Sequence, residues 1–186
     1  MKKAGFVVLS AAGLLVNSCL VKSVHPWYDT GTVVFEPALL GDWSNPEEGI
    51  FLRFSQKGDN IFYDVEYVED NDTTYFRAFL TRLDDELYLD YTPRPGTLEG
   101  WTDILMLPLH SLMKTELNPG ELVLTPPDYS WLTSRTKSGD LEEIQYQLVG
   151  DDPVLTSPTP ALRQFIVRYG SQEGFWGDPL KVTRGN

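Results

Sequence analysis

Apolar and polar positions alternate over much of the middle of this chain. Ile50, Leu52 and Phe54 alternate with Phe51, Arg53 and Ser55, and Ile61, Tyr63, Val65 and Tyr67 with Phe62, Asp64, Glu66 and Val68. Tyr75, Arg77 and Phe79 then alternate with Phe76, Ala78 and Leu80, and Leu87, Leu89 and Tyr91 with Tyr88 and Asp90. A period of two sends successive side chains to opposite faces of a strand. Polar clusters at 57–60, 69–72 and Asp84-Asp85 supply the turns between these runs. A Pro/Gly-rich break at 92–100 precedes further strands expected at 104–109, 112–117 and 121–125, with Asn118-Pro119-Gly120 as a turn. Counted from Asp42-Trp43, this makes about eight strands, the number at which an up-and-down sheet closes and loses its edges. The predicted fold is mainly β: an antiparallel meander that closes into a barrel or half-barrel.

The C-terminal third changes character. Residues 127–137 read as a short helix started near Pro127-Asp128, and 143–149 alternate again through Ile144, Tyr146 and Leu148. Thr159-Pro160 reads as N-cap and first helical residue. Leu162, Phe165, Ile166 and Tyr169 follow at helical spacing, and Gly170 is the stop. The apolar stripe of that helix is expected to cover one side or end of the sheet.

The N-terminus has a different logic. Lys2 and Lys3 precede an uncharged, largely apolar run over 4–16, shorter than the roughly 20 residues a helix needs to cross a bilayer core. That is the pattern of a secretory signal peptide over residues 1–18, and a retained transmembrane helix is the weaker reading. Residues 19–30 show little periodicity and read as a tether, leaving 31–186 as one β-rich domain with a helical cover.

Val16-Asn17-Ser18-Cys19, at the end of the apolar run, resembles the lipobox of bacterial lipoproteins. Val16 and Ser18 match the pattern and Asn17 departs from it. The resemblance implies diacylglyceryl attachment to the sulfur of Cys19, cleavage before Cys19, and acylation of its amine. Several acyl chains make a stable anchor where one holds only marginally. It implies a place in the bacterial cell envelope, and Leu20, standing where Asp would favour the inner membrane, points to the outer one. Gly41-Asp42-Trp43 ahead of the meander resembles the G-x-W stretch of lipocalins. In that family the Trp closes the base of a barrel beneath a ligand-holding calyx. The order of segments, with 103–110 in mid-chain and 154–159 entering a helix, looks like uncharacterised envelope lipoproteins of lipocalin-like build and implies no site.

Charge narrows the partners. The chain carries 27 acids against 15 Lys and Arg, a net charge of −12, and loss of residues 1–18 removes Lys2 and Lys3 but no acid, giving −14. Nucleic acid is a poor partner, since phosphate binding needs clustered cations; a basic envelope protein or a cationic ligand fits better, and the plainer account of the charge is solubility.

Candidate chemistry is sparse. Tyr63, Tyr67, Tyr75 and Phe79, with Tyr91, fall on one alternation class, so in a closed sheet they are expected either to line a pocket for a small apolar ligand or to pack an ordinary core. Tyr hydroxyls inside would need partners, which ligand or water could supply. His25 and His110 have no spacing that suggests a metal site, and the acidic turn at 66–72 lacks the spacing of a calcium loop. No cofactor is expected, because no phosphate-binding Gly-rich loop is present. The leading expectation is a lipid-anchored, non-catalytic binding module for a small apolar ligand or a protein partner. The alternative is an envelope enzyme, for which His110 beside an acid is the one thread.

Overall fold

The computed structural model describes residues 20–96, 107–141 and 143–185. Its centre is a closed eight-stranded antiparallel barrel, lipocalin-like in its meander. The barrel strands are β2 (Gly41–Asn45), β3 (Ile50–Ser55), β4 (Tyr63–Glu69), β5 (Asp72–Leu83), β6 (Glu86–Pro93), β7 (His110–Asn118), β8 (Glu121–Thr125) and β11 (Leu180–Arg184). Pairing of β6 with β7, from Leu87↔Thr115 to Tyr91↔Ser111, shuts the ring. On the other side β11 bridges β2 and β8.

The eighth strand is not the one the sequence pattern suggested. Of the strand expected at 104–109, residues 104–106 lie outside the described residues and 107–109 are not strand. The ring is completed instead by β11, which returns from beyond the second helix. Gly41, with φ of +113°, lets β2 begin against Arg184 of this strand. Trp43 is buried, donates its indole N–H to the Leu39 carbonyl at 2.9 Å and lies beneath the Arg184 guanidinium.

Three strands branch from the barrel. β1 (Lys22–Ser23) pairs antiparallel with His110 and Ser111 of β7, taking up the edge that β8 leaves at Lys114. β10 (Asp152–Leu155) lies parallel to β1, and β9 (Tyr146–Val149) is the outermost strand, antiparallel to β10. Residues 20–30 are therefore no free tether. Val21, Ser23 and Trp27 are buried, because β1 pairs on both sides and Trp27 enters an apolar cluster.

Two helices cover the barrel beside this branch. α1 (Tyr129–Ser138) starts where the Asp128 carboxylate accepts from the Trp131 N–H at 2.6 Å and stops at left-handed Gly139. α2 (Thr159–Tyr169) buries Leu162, Phe165, Ile166 and Tyr169, the stripe expected from the sequence. Its cap is Pro158 and not Thr159, whose hydroxyl donates instead to the Pro26 carbonyl at 2.6 Å.

Two cores result. Inside the barrel, Leu52, Phe54, Val65, Leu80, Leu89 and Val182 pack with their neighbours. Outside it, Tyr88 and Leu112, on the opposite faces of β6 and β7, meet Trp27, Leu162, Phe165 and Phe175. These two strands are thus buried on both faces.

Candidate functional site

The four aromatic residues singled out from the sequence do not share one interior. Tyr63 and Tyr67 point into the barrel and are 0% and 1% exposed. Tyr75 and Phe79 lie on the outer face: Tyr75 beneath the Arg94 guanidinium, Phe79 stacked on Tyr28 at 4.3 Å. The cause is the β4–β5 turn. Asp70 and Asn71, at φ of +50° and +71°, form a two-residue loop that pairs Glu69 with Asp72. Odd positions of β4 thereby face even positions of β5, so Phe76, Ala78 and Leu80 point inward. The two-residue turn at Asp84-Asp85 reverses the parity again and returns Tyr91 to the inside.

Of the inward tyrosines, Tyr63 and Tyr67 find their partners within the protein, whereas the buried Tyr91 hydroxyl has no hydrogen bond. The Tyr63 hydroxyl accepts from the Glu36 N–H at 2.7 Å and donates to the Glu36 carbonyl at 3.2 Å. That of Tyr67 donates to the Glu69 carboxylate at 2.9 Å. Burial raises the pKa of both phenols. The space left among Leu52, Phe54, Tyr67, Tyr91 and Met113 is about 30 Å³, room for a water or two. This barrel is filled by its own side chains.

Polar chemistry gathers outside, on the face of β5–β7. The register sets Arg77 opposite Thr92 and Phe79 opposite Asp90; such side chains stand about 5 Å apart. The Asp90 carboxylate is wholly buried. It accepts the Trp27 N–H at 2.7 Å through one oxygen, and its other oxygen shares a 2.8 Å hydrogen bond with His110 Nδ1. Burial raises the Asp90 pKa, against the opposing pull of His110 and of the Trp27 N–H. Tyr28 closes over this row, stacked on Phe79 and edge-on to His110. Its phenol pKa is raised first by burial and then by the Asp90 charge, while Arg77 opposes both.

Several polar atoms here are buried without hydrogen bonds: Arg77 Nε, Thr92 Oγ1 and the Trp27 indole nitrogen. The Arg77 guanidinium lies 4.2 Å from the centre of the Phe62 ring. An unpaired buried donor costs about 1–3 kcal/mol, so Arg77 and Thr92 present unspent hydrogen-bonding capacity beside an aromatic wall.

His110 is held through Nδ1, which leaves Nε2 as the ring's other donor or acceptor, the orientation in which a histidine can move protons. Among the described residues no side-chain nucleophile is paired with it. The adjacent Ser111 hydroxyl donates to the Val21 carbonyl at 2.8 Å. Among the described residues no three His, Cys, Asp or Glu side chains gather as metal ligands. Cys19 lies outside the described residues.

No family model, curated protein or solved structure matches this chain. The site must be read from its own geometry. Of the residues in the outer row, the sequence pattern marks His110 with an unspecified acid, and Phe79 for a different reason. Sequence reasoning misses Asp90, although an acid inside Leu87-Tyr88-Leu89-Asp90-Tyr91 is a local signal: an ionisable group amid residues bound for a core needs a buried partner.

Proposed function

We propose that this chain is a bacterial envelope protein held to the outer membrane through lipid on Cys19, and that its barrel is a non-catalytic binding module that works from its outer face. The observation that carries the second half is the contrast between inside and outside. The interior has room for water alone, whereas the outer row holds Arg77 and Thr92 with unsatisfied polar atoms between Phe62, Phe79 and Tyr28. That combination suits a ligand or protein segment that offers a carbonyl or carboxylate oxygen beside an apolar group. A small purely apolar ligand has no seat within the barrel. Among the described residues no helix is long and apolar enough to cross a membrane.

One observation favours a second reading. Asp90 orients His110, and with Arg77 nearby to stabilise negative charge the row could activate a water against a carbonyl group. Binding and catalysis differ in what they lose on mutation.

Native mass spectrometry of detergent-extracted protein should find a bound partner that dissociates in Arg77→Met and Thr92→Val and persists in Tyr67→Phe. If His110→Ala retains the bound species, binding is the function; if the species accumulates in His110→Ala as an unreacted form of what wild type yields, the enzyme reading replaces it. For the anchor, Cys19→Ala should abolish incorporation of a palmitate analogue, and equal labelling of wild type and variant refutes the lipid.

A further inference from the structure

The hairpin of β9 and β10 ends in an aliphatic pair. Leu148 and Val149, neighbours in sequence, are 61% and 66% exposed. β9 is an edge strand with the sequence Tyr-Gln-Leu-Val, and no charge blunts it. Water is a poor environment for such a tip.

The register places this tip at the start of the chain. Lys22 is paired in parallel with Val154 of β10, two residues from Asp152, which is paired with Val149. Strands lie about 4.8 Å apart, so two strand spacings separate β1 from β9, about 10 Å. An ion pair of 3.5 Å between Lys22 and Asp152 ties β1 to the hairpin at this level. Cys19 lies three residues before Lys22 in the sequence.

We propose that the β9–β10 tip docks on the phospholipid bilayer surface, with Leu148 and Val149 entering the boundary of the acyl chains and Asp151 remaining among the headgroups. The inference rests on the lipid anchor at Cys19. Two aliphatic side chains would not carry an acidic domain to a membrane alone. Next to an anchor they need only orient a domain already held there, because tethering makes the second contact intramolecular. Lys22 pairs with Asp152 and relieves part of the negative charge at the tip. A second copy of the chain is the weaker occupant, since two domains of net charge near −14 repel at close approach.

The test uses the full-length protein in vesicles of phosphatidylethanolamine and phosphatidylglycerol. With the Cys19 sulfur acylated, Val149→Cys supplies a single free thiol for an environment-sensitive nitrobenzoxadiazole label, and Glu47→Cys, in the exposed β2–β3 turn, is the control. The label at 149 should emit to the blue of its emission at 47 and be quenched by lipids that carry a nitroxide on the acyl chain. A palmitate analogue incorporated in the same preparations reads the anchor separately. Protein that carries the acyl label but shows an unquenched, water-exposed probe at 149 overturns the docking alone. So does a probe shielded by cross-linkable dimers and not by lipid. Protein without the acyl label overturns both readings.

Discussion

Asp90 is a carboxylate that two distant parts of the chain converge on. Its acceptors serve the Trp27 N–H and His110, so it fastens the N-terminal segment to the barrel while it orients the imidazole. With the carboxylate ionised, His110 holds its proton on Nδ1. Asp90→Asn keeps an oxygen for the Trp27 N–H and turns its amide N–H toward His110, which must then carry the proton on Nε2. Nitrogen-15 NMR of the ring should show that exchange of tautomer, with a melting temperature close to wild type. Asp90→Ala leaves the Trp27 N–H unpaired and should cost about 1–3 kcal/mol. Glu86 carries a pH dependence. The Lys114 ammonium first, and then the Tyr88 hydroxyl, lower its pKa from 4.5, while burial opposes them. Its contribution is fully present above pH 4.5 and is lost as pH falls through the lower folded-state value. Chemical denaturation across the acid range should therefore show a flatter acid limb for Glu86→Gln. At this scale Asp90 was legible as an acid in an apolar strand. Its partner Trp27, 63 residues away, was not, because no local pattern reports a contact that long-range packing creates.

Strands β3 to β8 follow the period of two closely, and their turns sit where the polar clusters stand. What alternation alone does not reveal is which class faces inward on each strand. A loop of two residues reverses parity, so Tyr63 and Tyr67 are core while Tyr75 and Phe79 are surface. Tyr67→Ala should consequently behave as a core truncation, with a loss of about 3–5 kcal/mol in thermal or denaturant unfolding; a much smaller loss would mean that the interior is looser than its 30 Å³ of free space implies. The closing strand was the least legible element. Leu180 and Val182 supply only two inward apolar positions, too short an alternation to mark a strand, and the neighbours that complete it, Leu122 to Leu124 and Trp43 to Ser44, are far away in sequence. Ending the chain after Gly177 should leave β2 and β8 with bare edges. The expected outcome is an opened barrel that self-associates, read by light scattering and by loss of near-ultraviolet dichroism.

The whole molecule is two cores that share β6 and β7. One lies within the ring; the other lies between the outer faces of those strands and a layer made of α1, α2 and the N-terminal segment. Trp27 is the residue that belongs wholly to the second: its ring packs near Phe165, and its N–H reaches Asp90 through the layer. If the cores are separately stable, Trp27→Ala should weaken the outer layer and spare the ring. Large aromatic truncations cost about 3–5 kcal/mol in a core, enough to open that layer as a local unit before global unfolding. Native-state hydrogen exchange should then show the amides of α2, β9 and β10 losing protection while those of β3, β4 and β5 keep theirs. Equal loss in all of them would mean that the barrel depends on its cover. In that case the outer row of Arg77, Thr92 and His110, which lies where cover and ring meet, could not rearrange to admit a partner without the whole fold giving way.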